Sequence, residues 1–123
     1  MADDVRSCEL CRPFETDEAY VRFDNNSLAR GHVLVVPRRH VASFFDMTAA
    51  EKARVIELLD RAKAHVETEF KPDGYNIGVN VGRAGGQSRM HVHVHLIPRY
   101  AGDVADPRGG IRCVLAKRTT AAH

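Results

Sequence analysis

The residues best suited to chemistry lie in one short run, Met90-His91-Val92-His93-Val94-His95-Leu96-Ile97-Pro98. Histidine alternates there with apolar residues, which is the period of a β-strand. Side chains at i, i+2 and i+4 of a strand share one face, so His91, His93 and His95 line one side while Val92, Val94 and Leu96 enter a core. At roughly 3.3 Å of rise per residue, the outer two imidazoles stand about 13 Å apart. Two neighbours of such a row can share a zinc ion, but all three cannot reach one tetrahedral ion. The row therefore reads as an extended site that meets successive groups of a substrate. A neutral imidazole oriented by a partner on its other nitrogen is a nucleophile toward phosphorus.

Two further stretches carry polar chemistry. Gly82-Arg83-Ala84-Gly85-Gly86-Gln87-Ser88 directly precedes the histidines. Its glycines let backbone N–H groups approach an anion, and Gln87 and Ser88 add polar contacts. No Gly-Lys-Ser/Thr follows, so it is not a Walker loop. Loop, histidines and Asn80 converging on one sheet face suit phosphoryl or nucleotidyl transfer, in which positioning and electrostatic stabilisation dominate. Cys8-Glu9-Leu10-Cys11 can offer two thiolates to one zinc. A tetrahedral site needs two more ligands, and with no second cysteine pair these would have to be histidines. Reduced structural thiols are the simpler alternative, and a redox role is weaker because no strand precedes the motif. His32 and His40, taken singly, read as structural. A catalytic metal on His91 and His93 is a further alternative.

The elements that must position these groups follow in order. Ala19–Phe23 reads as a short strand, Asp24 to Ser27 as a turn, and Gly31–Pro37 as a nearly continuous apolar strand suited to a central place. Thr48 and Glu51 form a capping box for one long helix. Val55, Leu59, Ala62, Val66 and Phe70 make its apolar stripe, with Glu51 and the other charges off it. Lys71-Pro72-Asp73-Gly74 stops it. Tyr75–Val81 alternates again, with Asn76, Gly78 and Asn80 on the polar side. Ile111–Leu115 reads as a last short strand, and 116–123 as a flexible tail. The order β-β-α-β-β predicts an α+β domain with a largely antiparallel sheet.

With 123 residues, a single domain over 1–123 with its core at about 8–115 is expected. Its 44% hydrophobic and 28% charged residues are those of an ordinary globular chain. No apolar run approaches membrane-spanning length and MADDVRSCEL is acidic and polar, so neither a membrane span nor a secretory signal is expected. A net charge of +2 is too mild to demand a nucleic-acid partner, although arginines gather at Arg38, Arg39, Arg83, Arg89, Arg99, Arg108 and Arg112. Three cysteines, an odd number, point to a reducing cytoplasm.

His91-Val92-His93-Val94-His95-Leu96-Ile97 resembles the signature of the histidine-triad (HIT) family, and the likeness runs from Cys8 to about Ile111. The resemblance implies a HIT-like fold, a homodimer, and hydrolysis or transfer of nucleoside monophosphates through a nucleotidyl-histidine intermediate. By its motif His93 is the nucleophile, His95 contacts phosphate, and His32 completes the site. Asn80, Gln87 and Ser88, with Gly86 in the same loop, match groups that bind phosphate or assist the leaving group. Asp24 matches the ribose-binding acid. Asn25 stands where an apolar residue usually meets the base. The resemblance also implies a structural zinc on Cys8, Cys11, His40 and His91, and no catalytic metal. The implied substrates are AMP-containing dinucleoside polyphosphates or phosphoramidates. The Cys-x-x-Cys and Pro98-Arg99-Tyr100 are similar to bacterial hydrolases of the family. A nucleotide-binding regulatory protein with slow turnover is the alternative.

Overall fold

A computed structural model describes residues 18–24 and 29–115. Cys8, Cys11, Asn25 and the 116–123 segment lie outside the described residues. Among the described residues the strands are β1 (Ala19–Phe23), β2 (Val33–Pro37), β3 (Gly74–Val79) and β4 (Val94–Arg99), with one α-helix, α1 (Ala49–Phe70), between β2 and β3. They form a four-stranded antiparallel sheet in the order β1-β2-β4-β3, as an α+β reading requires. The β1–β2 pair is antiparallel, with Phe23 opposite Val33 and Ala19 opposite Pro37.

Register sorts the side chains. Val21, Val35 and Val94 lie in one cross-strand row, and Val33 and Leu96 in the next. These residues are buried together with Val55, Leu58, Leu59, Ala62 and Val66 of α1. The helix thus closes one face of the sheet, and each aliphatic side chain withdrawn from water there contributes about 2 kcal/mol. The other face carries Leu34, His95 and Gly78 as one row, opposite residues of β2, β4 and β3.

Thr48 caps α1 through its hydroxyl, which accepts from Glu51 N–H, while the Glu51 carboxylate accepts from Thr48 N–H. Glu51, expected on the solvated side, is instead buried, because Arg39 meets it with Nε and Nη2 at 2.9 Å each. Arg39 Nη2 also donates to the Asp46 carbonyl. The clamp fixes the loop between β2 and α1 and keeps the Glu51 carboxyl down at about 2, chiefly through Arg39 and then the Thr48 N–H. Leu58, fully buried, belongs to the helix's apolar face although the period-based stripe omitted it.

Three boundaries differ from the sequence-based expectation. β3 ends at Val79, short of Val81, and as an outer strand it leaves Ile77 exposed. β4 begins at Val94, so His91 and His93 precede the ladder; Val92 N–H still donates to Val41 O at 2.8 Å. Gly110–Leu115 is a 3-10 turn lying against β3, not a strand, and Gly109 and Gly110 both have positive φ there. A strand needs extended backbone and a ladder partner, whereas this segment winds as a 3-10 turn from Gly110 with Ile111, Val114 and Leu115 exposed, so their apolar type misled.

Gly31 precedes His32 with φ +82, and a Cβ there would stand 2.8 Å from Phe70 Cδ2. The end of α1 therefore packs directly on the backbone that delivers His32. Gly31→Ala is expected to cost about 2 kcal/mol, from the left-handed backbone and the displaced ring together. A denaturant midpoint unchanged from wild type would show that neither constraint operates.

Candidate active site

The histidine run is divided between two local sites. His91 Nε2–H donates to the Pro37 carbonyl at 2.7 Å, which leaves Nδ1 with its lone pair. That Nδ1 lies 3.2 Å from His40 Nδ1, with the rings edge to face at 5.1 Å. Two nitrogens on one tetrahedral zinc, each about 2.0–2.1 Å from it, stand roughly 3.3 Å apart. A ligating histidine also typically donates its other N–H to a carbonyl, as His91 does. The pair therefore fits half of a structural zinc site; the two cysteines that would complete it lie outside the described residues.

His93 turns to a different task. Its Nδ1–H donates to the His91 carbonyl at 3.0 Å, so in the neutral ring Nε2 carries the lone pair. Its ring stands 5.1 Å from that of His95. His95 sits mid-sheet on the open face, between Leu34 and Gly78. Gly78 has no side chain to fill the floor beside it, and the nearest cover is Ile111, 4.0 Å from where a Cβ would be. His95 Nδ1 meets His32 Nε2 at 3.0 Å, and His32 Nδ1 faces Asp24 Oδ2 at 3.6 Å. Asp24, His32 and His95 thus form a continuous chain, their nearest ligand-type atoms all within 4.8 Å.

Both histidines of this chain titrate below their ordinary value. Burial is the main cause for His32, partly offset by Asp24. For His95 burial leads, followed by His93 and His32, with Asp24 opposing. A histidine depressed on folding binds fewer protons folded than unfolded, so its contribution to stability is full above about pH 6.5 and is lost as pH falls below it. The melting temperature is expected to drop from neutral pH toward the folded-state values of the pair, and to drop less in His95→Gln. An equal drop in both proteins would contradict this.

The glycine loop is shaped from behind by Gln87. This side chain is 3% exposed, and its Nε2 donates to Ala42 O at 2.6 Å and to Arg89 O at 2.9 Å, while Oε1 accepts from Gly82 N–H at 2.9 Å. Both amide hydrogens are used, so no donor remains for a phosphate; Gln87 acts on the loop rather than on a ligand. Gly86, with φ +96, lies against the Asn80 side chain, 3.7 Å from its Cγ to the position of a Cβ. These two expected substrate groups are therefore together, and Ser88 is exposed at the end of the same loop. Arg99 pairs with Asp103 and Arg108 with Asp106, so these two arginines, like Arg39, are answered by carboxylates.

Sequence reasoning missed the Pro37 carbonyl, the His91 carbonyl and the Arg39–Glu51 clamp. The first two are backbone atoms and leave no mark in residue type. For the clamp, the only signal was Glu51 in the capping box.

The HIT domain model matches residues 12–102. Over 74 residues the chain is 39% identical to the AP-4-A phosphorylase of Mycobacterium tuberculosis, a match covering 59% of this chain and 38% of the relative. It is 37% identical over 76 residues to the bis(5′-nucleosyl)-tetraphosphatase (asymmetrical) of Schizosaccharomyces pombe, covering 62% of this chain and 42% of that protein. The chain thus spans less than half the length of these two enzymes. Among solved structures, a Zn-bound histidine triad family protein from Mycobacterium smegmatis superposes with TM-score 0.67 at 29% identity, covering 75% of this chain and 67% of its own. No described helix is long and apolar enough to cross a membrane. With the domain match spanning most of the chain and falling on the residues that build this site, the chain belongs to the HIT family.

Proposed function

We propose that the protein hydrolyses or transfers nucleoside monophosphates, releasing AMP from a dinucleoside polyphosphate or a nucleoside phosphoramidate. The carrying observation is the bond from His93 Nδ1 to the His91 carbonyl, which presents Nε2 as a nucleophile beside the His95–His32 pair. The relatives named for AP-4-A and nucleosyl-tetraphosphate chemistry support the same class. In the first step His93 Nε2 attacks the α-phosphorus, an N–P bond forms as the P–O or P–N bond to the leaving group breaks, and the leaving group departs with a proton drawn from solvent by way of the Ser88 hydroxyl. In the second, water attacks the same phosphorus and returns one proton to solvent, the N–P bond breaks, and AMP leaves with His93 neutral again. His95 contacts the phosphate with His32 completing the site behind it, Ser88 assists the leaving group, and Asn80 with the Gly86 backbone cradles the remaining oxygens. Asp24 binds the ribose hydroxyls, and Asn25, standing where an apolar residue usually meets the base, bears on base preference.

A structural zinc on Cys8, Cys11, His40 and His91 completes this reading; it supplies a cross-link and no step of the reaction. The outer strand β3, with Ile77 exposed, supports association into a homodimer. The single-domain organisation and a cytoplasmic location stand with it.

Intact-protein mass measurement tests the proposal. After brief exposure to adenosine 5′-phosphoramidate or diadenosine tetraphosphate, quenched without acid, wild type is expected to gain one adenylyl group and His93→Asn none. Under native conditions the same instrument should find one zinc per chain, lost in His91→Ala. Nucleotide binding with neither adduct nor AMP release would favour a binding protein instead.

A further inference from the structure

We propose that the Asp24–His32–His95 chain accepts a phosphoryl group only together with a proton, so that loading a nucleoside monophosphate draws one proton into the His32–His95 pair. The inference rests on the reading of the site as a nucleotide site. The 3.0 Å contact between His32 Nε2 and His95 Nδ1 holds a single proton, and its ownership fixes both rings. If His32 owned it in the neutral pair, His32 Nδ1 would turn a lone pair on the Asp24 carboxylate 3.6 Å away. Two acceptors would then oppose each other at a half-buried position, which is unfavourable. The neutral pair therefore settles the other way. His32 Nδ1–H points to Asp24, His32 Nε2 accepts from His95 Nδ1–H, and His95 Nε2 is left bare on the open face of the sheet.

A bare nitrogen repels a phosphate oxygen. It becomes a donor only when the pair takes up a proton, and the surroundings keep the resting pair from doing so. Beside burial, that effect comes on His95 from His93 and His32. Arg22, in its cross-strand row through Leu34, and Arg112, on the 3-10 turn over β3, are the other charged groups on neighbouring elements. Burial acts in the same direction on both histidines, and only Asp24 opposes it. An arriving dianion reverses the balance, because its charge stabilises the added proton at short range in a partly dry site. Asp24 is thereby a positioning residue for His95, acting through His32, in addition to any contact with ribose.

Calorimetric titration of AMP into the full chain, just above neutral pH in two buffers of different ionisation enthalpy, reads the effect. Wild type should take up about one proton per site. In Asp24→Asn the amide N–H can donate to His32 Nδ1, which turns the pair around and exposes a His95 Nε2–H, so binding should proceed with no uptake. Inorganic phosphate, which has no ribose, replaces AMP if the variant holds AMP too weakly. Two-bond 1H–15N spectra of the ring nitrogens give an independent readout: His95 protonated at Nδ1 alone when free, and at both nitrogens with AMP bound. Equal heats in the two buffers with AMP bound would overturn the proposal. So would uptake of the same size in Asp24→Asn, which would place the proton on the ligand, or a free His95 protonated at Nε2. Failure of AMP to bind wild type at all would instead remove the nucleotide reading, and this inference with it.

Discussion

Replacing His93 by asparagine is expected to lower turnover of AMP-releasing substrates by at least about 1,000-fold, with AMP affinity changed only a few-fold. An asparagine amide N–H can still reach the His91 carbonyl, so the local backbone should hold. What it lacks is the Nε2 lone pair that attacks phosphorus. kcat and kcat/KM should therefore fall together, since the lost interaction exists only along the reaction coordinate. A variant retaining more than a tenth of wild-type turnover would assign the nucleophile elsewhere, and His95 would then be the residue to replace.

Gln87→Leu should be nearly as damaging, by a different route. The leucine matches the shape but strands the Gly82 N–H and the Ala42 and Arg89 carbonyls. Three lost hydrogen bonds at a buried position are expected to cost about 3–4 kcal/mol. Turnover should fall with stability, because Gly86 and Ser88 lose the frame that holds them. A ligand role would give the opposite pattern: weaker phosphate binding with an unchanged melting temperature. Thermal unfolding and product-inhibition constants measured on the same preparation separate the two.

The elements were legible because their signals are periodic. The alternation at 92–96, the stripe at 55–66 and the Thr48–Glu51 box each rest on side-chain type, and each lies where it was expected. The antiparallel order of strands followed from their spacing around one helix. The limits arise where backbone atoms or tertiary partners decide. His91, between Met90 and Val92, and His93, between Val92 and Val94, both have apolar neighbours in sequence, yet one faces His40 and the other His95. Nothing local distinguishes them; the division depends on the Pro37 carbonyl on one side and the His91 carbonyl on the other. Glu51 looked solvated because its partner, Arg39, is twelve residues earlier, in the loop after β2. Gln87 looked like a ligand because a polar residue in a glycine loop reads the same whether it points at substrate or back at the chain.

The bond from His91 to Pro37 has a consequence for the uniqueness of the fold. A strand written His-Val-His-Val-His is degenerate under a slip of two residues. Every histidine would remain on the open face and every valine in the core, and binary patterning would not object. Such a slip would nevertheless carry His93 into the place of His95, against His32 and inside the ladder. Anchoring at His91 Nε2, with Val92 N–H fastened to Val41 O, breaks the degeneracy just before the ladder begins. The first histidine of the run thus keeps the other two in phase: it fixes the count along the strand, so that the residue presented to phosphorus is always the same one.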